Sequence, residues 1–173
     1  MQVTLDPAQT KIEWTLGATL HTVHGTFKLK SGQISFDPAT GNATGELVVD
    51  AASGDSGNSK RDAKMHKDVL ETARYPEISF LAKKVSGPWT DHGNSTLQVE
   101  GVFHIHGADH NLALTVAVDA SGASANATTH FTVPYQAWGM KDPGSGLLHV
   151  DDKVQISIQA VGKVTNTGAR TAR

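Results

Sequence analysis

The segment "LQVEGVFHIHGADHNLALTV", residues 97–116, decides the fold, because apolar and polar residues alternate in it on both sides of a glycine. Successive side chains of a β-strand point to opposite faces of the sheet. The apolar face of this segment comprises Leu97, Val99, Phe103, Ile105, Leu112, Leu114 and Val116. With "GADH" (107–110) as the turn, the segment predicts an antiparallel hairpin that buries one face and exposes the other.

The same alternation recurs along most of the chain. Residues 10–20 place apolar side chains at every second position from Ile12, and a further series follows from Phe27. The dipeptide Ser31-Gly32 predicts a turn between that series and the one that contains Ile34 and Phe36. Later series surround Phe80, Phe131 and Ile156. Eight or nine strands with one apolar face each predict an all-β protein, either an antiparallel barrel or a sandwich.

One segment, "NSKRDAKMHKDVLETARYPEISF" (58–80), lacks this alternation at its start. Met65 and Val69 are four residues apart, with Leu70 beside them, which predicts a short amphipathic helix over about 59–74. Asn58 or Ser59 is a suitable N-cap, and Tyr75-Pro76 predicts the end. Such a helix could cover the open end of a barrel or cross between two sheets.

Composition limits the classes of function. The chain has 173 residues, a net charge of −2 and no cysteine. No dense basic block is present, which argues against a nucleic-acid partner. No apolar run is long enough to span a membrane. We expect one domain over residues 1–163 and a polar C-terminal tail over 164–173.

Three of the nine histidines, His104, His106 and His110, lie within seven positions. The alternation points His104 and His106 away from the apolar face. Two such histidines can chelate a surface metal, but a catalytic zinc normally needs a third fixed ligand. We therefore predict solvated histidines, no metal and no catalytic residue. A barrel hydrolase or isomerase that uses His21, His24 or the His104/His106 pair remains the enzymatic alternative.

Residues 134–152, "PYQAWGMKDPGSGLLHVDD", interrupt the strands with prolines and glycines, yet are unusually apolar for a loop. We predict an ordered connection in which Trp138 and Met140 cover one opening of the interior. Leu147 and Leu148 are predicted to re-enter the sheet. The alternative is that Trp138 fills a gap beneath an ordinary crossover loop.

Five segments in order resemble the YceI-like family of lipid-binding proteins. They are "LDPAQTKIEWTL", "VHGTFKLKSGQISFDP", "KRDAKMHKDVLETARYPEISF", "VEGVFHIHGADHNLALTV" and "DDKVQISIQAVG". The third is the most specific, with its basic-Asp helix start followed by "YPEISF". Two places depart from the family pattern: Thr10-Lys11 stands where the family has serine, and "DAASGDSGNS" has fewer hydroxyl residues.

The resemblance implies an extended eight-stranded antiparallel barrel, like that of a lipocalin, with the helix near one end. It also implies an apolar tunnel that holds a long isoprenoid lipid, such as a polyprenol, a polyprenyl phosphate or an isoprenoid quinone. We therefore expect a non-enzymatic protein for binding, transport or storage of that lipid, with no cofactor. The predicted ligand-binding residues are Ile12, Trp14, Leu16, Phe27, Leu29, Phe36, Leu47, Met65, Val69, Phe80, Phe103, Ile105, Leu114, Phe131, Trp138, Met140, Ile156 and Ile158.

Other expectations concern assembly and compartment. A structural β-sandwich for protein contacts is the second alternative function, and it predicts a filled core. Leu81 and Val102 fall on the outer face of their strands and favour a homodimer. The N-terminus has no signal-peptide pattern, so the protein is expected in the cytoplasm if the chain is complete, and in the periplasm if a leader has been removed.

Overall fold

The alternating segments form nine β-strands, which close into one antiparallel barrel in the computed structural model; the structure describes residues 1–167. The strands are β1 (Gln2–Leu5), β2 (Lys11–Leu16), β3 (Val23–Phe36), β4 (Ala43–Asp55), β5 (Glu77–Ser86), β6 (His92–Ile105), β7 (Ala108–Ser121), β8 (Ser124–Val133) and β9 (Val154–Thr165). The predicted all-β fold is confirmed, and it is a barrel and not a sandwich.

The nine strands occupy eight positions around the barrel, because β1 and β2 share one. Both strands lie between β3 and β9: β2 pairs with one half of each neighbour and β1 with the other half. The chain between them turns at Asp6, whose carboxylate accepts a hydrogen bond from the Ala8 amide at 2.9 Å. A barrel closed in this way has no free sheet edge, and eight strands enclose enough space for one small ligand.

The hairpin of β6 and β7 turns at His106-Gly107, not at "GADH" as predicted. Both residues have positive φ, 52° and 73°, as a two-residue type I′ hairpin turn requires. The strand pairing that follows places His110 opposite Phe103. His110 therefore shares the inward side of the sheet with Phe103.

The predicted turn at Ser31-Gly32 is wrong, since both residues lie within the continuous strand β3. A register shift between Leu29 and Ser31 marks a bulge there. A Cβ atom at Gly32 would lie 3.0 Å from a methyl group of Leu5. The glycine therefore permits β1 to pack closely on β3, which local sequence alone does not distinguish from a turn.

The helix is shorter than the predicted 59–74. It comprises α1 (Ser59–Lys64) and a π-helical turn over Met65–Val69. The Asn58 side chain caps it by accepting hydrogen bonds from two backbone amides at 3.1 Å. The helix ends early because Glu71 adopts a left-handed conformation, with φ 50°. Among the described residues no helix has the length and apolarity to cross a bilayer.

The last strand continues beyond the domain boundary that we predicted at residue 163. Val164 and Thr165 belong to β9, and Val164 is buried, so neither is part of a polar tail. The remainder of the predicted tail from residue 168 lies outside the described residues. Leu81 pairs with Val102 on the outer face and is 38% exposed, and the homodimer stays a prediction.

Candidate functional site

Two adjoining apolar cavities fill the interior of the barrel. The inner cavity has a volume of about 190 Å³ and reaches Phe36 and Trp89. The outer cavity has a volume of about 780 Å³ and reaches the helix and the loop over 134–153. Both are lined by Ile12, Val49, Ile78, Phe103, Phe131 and Ile158, which form the waist between them.

The side chains predicted to bind the ligand are distributed over both cavities. The waist contains Ile12, Phe103, Phe131 and Ile158. The inner cavity is lined by Leu29, Phe36, Leu47, Phe80 and Leu114. The outer cavity is lined by Trp14, Leu16, Phe27, Met65, Val69, Ile105, Met140 and Ile156. Their contact with a ligand remains a prediction.

Trp138 lines neither cavity. Its indole stacks on the His110 ring, with ring centroids 3.8 Å apart and planes within 9°. It also lies 5.9 Å from the Phe103 ring, which belongs to the waist. Trp138 therefore contacts the cavity-lining Phe103 without lining a cavity itself, and its stacking partner is the inward-facing His110.

Sequence reasoning missed a polar rim around the outer cavity. Besides the buried Trp14 and Tyr135, six of the lining residues carry polar side chains or charges: His21, Lys60, Arg61, Lys64, Ser145 and His149. Most of them are exposed, which places the opening of the cavity there, and we call this group the mouth. The signal available in the sequence was "SKRDAK", whose three basic residues precede the apolar stripe of the helix.

The helix covers the outer cavity from one side. Val69 and Leu70 are buried against the barrel. A His66 ring nitrogen lies 2.8 Å from the carbonyl oxygen of Gly54 in β4. A Cβ atom at Gly54 would lie 2.6 Å from the Met65 methyl group, so this glycine permits the helix to lie close to β4. The tight fit places Met65 and Val69 over the cavity.

The loop over 134–153 covers the cavity from the opposite side. Tyr135 is buried, and its hydroxyl donates a hydrogen bond to the carbonyl of Asp151 at 2.7 Å. Burial raises the pKa of this phenol above its ordinary value. The Met140 amide donates to the Tyr135 carbonyl at 3.0 Å, which keeps Met140 pointing into the cavity. The loop is thus ordered around a neutral, hydrogen-bonded tyrosine.

Leu147 and Leu148 do not re-enter the sheet, contrary to the prediction. They lie in a tight turn closed by Ser145 and Leu148, and they are 100% and 47% exposed. The chain returns to the barrel at Val150, which bridges to Ala18. The glycines at 144 and 146 favour this turn over strand pairing.

The clustered histidines do not converge. His104 lies 2.6 Å from an Asp109 carboxylate oxygen, and His106 lies 2.5 Å from a Glu71 carboxylate oxygen. The prediction of a solvated side chain is wrong for His106, which is 17% exposed and packs on Tyr75. Neither pair lines a cavity. Within residues 1–167 no three His, Asp or Glu side chains form a metal-binding group.

Two buried indole N–H groups, those of Trp14 and Trp89, have no hydrogen-bond partner among the described residues. Trp14 lines the outer cavity and Trp89 the inner one. Most buried polar groups in proteins are paired. Each cavity therefore has a potential donor to an oxygen atom of a ligand in an otherwise apolar wall.

Comparisons with known proteins agree on one family. The family model described as YceI-like domain matches residues 3–162. A UPF0312 protein of Pseudomonas savastanoi pv. phaseolicola is 29% identical over 151 residues, which are 82% of this chain and 74% of that protein.

Two solved structures have the same fold. Burkholderia cenocepacia BcnA aligns with a TM-score of 0.74 and 23% identity, over 91% of this chain and 98% of BcnA. A structure described as a polyisoprenoid binding domain from Saccharophagus degradans, implicated in plant cell wall breakdown, aligns with a TM-score of 0.73 and 15% identity, over 94% and 98% of the two chains.

Proposed function

This chain belongs to the YceI-like domain family, and we propose that it binds one long isoprenoid lipid for transport or storage, without catalysing a reaction. The observation that carries the proposal is the outer cavity, about 780 Å³ with an almost wholly apolar wall, which adjoins the inner cavity at the waist. Ligand pockets commonly have volumes of about 300–1,000 Å³. The ligand chain would extend from the mouth through the waist into the inner cavity.

The chemistry of the wall favours a hydrocarbon chain over a compact polar ligand. Burial of each methylene group contributes about 0.8 kcal/mol before the cost of ordering the chain. The Thr129 hydroxyl of the inner cavity already donates to the Thr115 carbonyl at 2.9 Å, so it offers little to a sugar or a nucleotide. The similar domain from Saccharophagus degradans is described as polyisoprenoid binding, which supports this ligand class.

The unpartnered indole of Trp14 supports a ligand that carries an oxygen atom. Its N–H group is buried in the wall of the outer cavity. A polyprenol hydroxyl or a quinone carbonyl near the mouth would provide the missing acceptor. An unbranched alkane would leave the indole unpaired, at a cost of about 1–3 kcal/mol.

The enzymatic alternative has less support. His21 and His149 line the mouth, and within residues 1–167 neither ring is hydrogen-bonded to a carboxylate. General acid–base catalysis by histidine usually needs such an orienting partner. The His106–Glu71 pair has one, but it lies outside both cavities.

Native mass spectrometry of protein purified without detergent tests the proposal. We expect a retained lipid, or stoichiometric uptake of an added polyprenol or isoprenoid quinone. Val49→Trp places a large ring in the waist and should abolish uptake of a long ligand. Val48→Trp is the matched control, because Val48 directly precedes Val49 in β4 and lines neither cavity.

Two results would contradict the proposal. One is an apo mass alone, with no uptake of either lipid by the unsubstituted protein. The other is equal uptake by the Val49→Trp variant and its control, which would mean that the ligand does not pass the waist.

A further inference from the structure

We infer that the mouth of the outer cavity is a docking surface for an anionic lipid bilayer, from which the barrel loads its cargo and to which it delivers it. The surface combines exposed leucines, basic side chains that have no carboxylate partner within residues 1–167, and the opening of the outer cavity. This inference goes beyond the proposed function, because it concerns a partner surface and holds for any apolar cargo.

The leucines come from two loops that are fastened together. The Thr19 amide donates to the His149 carbonyl at 2.9 Å, and the His149 amide donates to the Thr19 hydroxyl at 2.9 Å. Leu20 follows Thr19 directly, and Leu147 and Leu148 precede His149. Leu20 is 78% exposed and Leu147 is 100% exposed. Three exposed leucines next to one hydrogen-bonded contact form an apolar protrusion, which solvent alone does not favour.

The basic residues stand on the same rim. Lys60, Arg61 and Lys64 of α1 line the outer cavity, as do His149 and Leu148 of the loop. No carboxylate of residues 1–167 lies within ion-pair distance of these three cations. The Arg61 guanidinium donates to the Ser56 hydroxyl at 2.9 Å, whereas Lys60 and Lys64 are exposed, and their charge is available to an external anion.

Two carboxylates near the mouth accept hydrogen bonds from neighbouring groups. Asp62 accepts hydrogen bonds from the amide and the hydroxyl of Ser56, at 2.9 and 2.6 Å. Asp142 accepts from the Gly144 amide at 2.7 Å. Neither of them, nor any other acidic residue, is part of the cavity lining. The lining of the opening therefore includes three basic side chains and no acidic one, although the whole chain has a net charge of −2.

Exposed leucines flanked by basic side chains are typical of protein surfaces that bind at a membrane interface. The apolar groups enter the boundary of the acyl chains, and the cations remain beside the anionic head groups. A cargo that is insoluble in water must leave one bilayer and enter another. A mouth seated in the interface would let it pass without crossing water.

Vesicle flotation tests the inference with the full chain. The probes are vesicles of phosphatidylcholine alone and vesicles of equal parts phosphatidylcholine and phosphatidylglycerol. We expect binding to the anionic vesicles that weakens with added salt, and weak binding to the neutral ones. The double substitution Lys60→Gln/Lys64→Gln should weaken binding by about tenfold or more.

Two further variants separate the contributions. Lys83→Gln/Lys84→Gln removes the same charge from exposed positions of β5, outside the cavity lining, and should bind like the unsubstituted protein. Leu147→Ser should weaken binding to the anionic vesicles with little change in thermal stability, because that side chain contacts solvent.

Absence of binding to anionic vesicles, or equal losses in the two double-lysine variants, would overturn the inference. So would a Lys60→Gln/Lys64→Gln variant that floats normally yet has lost a retained lipid by native mass spectrometry. That last result would assign the basic residues to the head group of the cargo. Retained lipid is measured separately from flotation, so failure of the docking surface is distinguishable from failure of lipid binding.

Discussion

The two ends of the barrel interior are closed by different kinds of structure. At the inner end the Phe36 and Trp89 rings line the cavity and pack edge to face, and Met1 and Phe36 exchange two backbone hydrogen bonds, at 2.8 and 2.9 Å, that extend the pairing of β1 with β3. At the outer end a short helix and a long loop lie over the opening. Strand pairing is part of the cooperative fold, whereas the outer cover is held by a few hydrogen bonds and packing contacts of the helix and the loop.

This difference separates stability from ligand access. Changes at the inner end should damage the fold and thereby everything else. Changes at the outer end should alter entry and retention of a ligand while the barrel stays folded. Four substitutions of graded effect test that separation.

Gly101→Leu should have the largest effect, on the barrel wall. A Cβ atom at Gly101 would overlap the carbonyl oxygen of Leu81 and lie 2.6 Å from the Phe80 ring. We expect the free energy of unfolding to fall by about 3 kcal/mol in urea titrations. Ala113→Val, on the exposed face of β7, is the control and should change it little. An unchanged free energy of unfolding in Gly101→Leu would contradict this, because it would show that the barrel wall accommodates a clash as easily as the outer cover does.

Val69→Asp tests the outer cover. Val69 is buried at 8% exposure and lines the outer cavity, so a carboxylate there would face an apolar chain. We expect retention of polyprenol or quinone to fall by more than tenfold, with a smaller loss of stability than in Gly101→Leu. Lys67→Asp, on the exposed side of the same turn, is the matched control. Equal retention in both variants would mean that the helix does not contact the ligand.

His106→Asn tests the contact that joins the hairpin to the end of the helix. Asn-Gly is the preferred type I′ turn, so the hairpin should persist. The contacts of His106 with Glu71 and Tyr75 should be lost. We expect faster hydrogen exchange over residues 65–75, a few-fold faster release of ligand and a stability change of about 1 kcal/mol. Unchanged exchange there would show that Glu71 holds its left-handed conformation without His106.

Asp37→Asn should have the smallest effect, on acid stability at the inner end. The Ala39 amide donates to the Asp37 carboxylate at 2.9 Å and lowers its pKa below the ordinary value of 3.8. A lowered pKa stabilises the fold above that value, and the stabilisation is lost as the pH falls through the lower folded-state pKa. The variant should show a slightly smaller loss of unfolding midpoint below about pH 4. Asp119→Asn, at an exposed position of β7, should keep the acid dependence.

Much of the fold and of the cavity wall could be predicted from sequence, because period-2 alternation directly reports which side chains share a face. Ile12, Phe103 and Ile156 could be placed in the interior without knowledge of strand order. The resemblance to the YceI-like family then distinguished a barrel from a sandwich. Alternation alone is compatible with both, since each buries one face of every strand.

Turns were predicted less reliably than strands, because a glycine can serve either close packing or a positive φ, and the local sequence does not distinguish the two. Gly32 permits close packing of β1 on β3, whereas Gly107 supplies the positive φ of a hairpin turn. The structure places the turn at His106-Gly107 and not at "GADH", so His110 lies in β7 opposite Phe103 and is not part of the turn. That in turn decided the partner of Trp138, which is absent from the cavity wall.

The sequence by itself determined the strand content, the inward faces and the single helix with its Asn58 cap, since each of these depends on neighbours within one segment. Tertiary structure decided what distant segments form together. Thr19 contacts His149, and Glu71 contacts His106. Two lysines and one arginine of α1 lie at the mouth together with the exposed leucines of two loops. These contacts depend on how the barrel closes. Closure brings Thr19 and His149, which are 130 positions apart in sequence, to one rim, and no local pattern encodes such a contact.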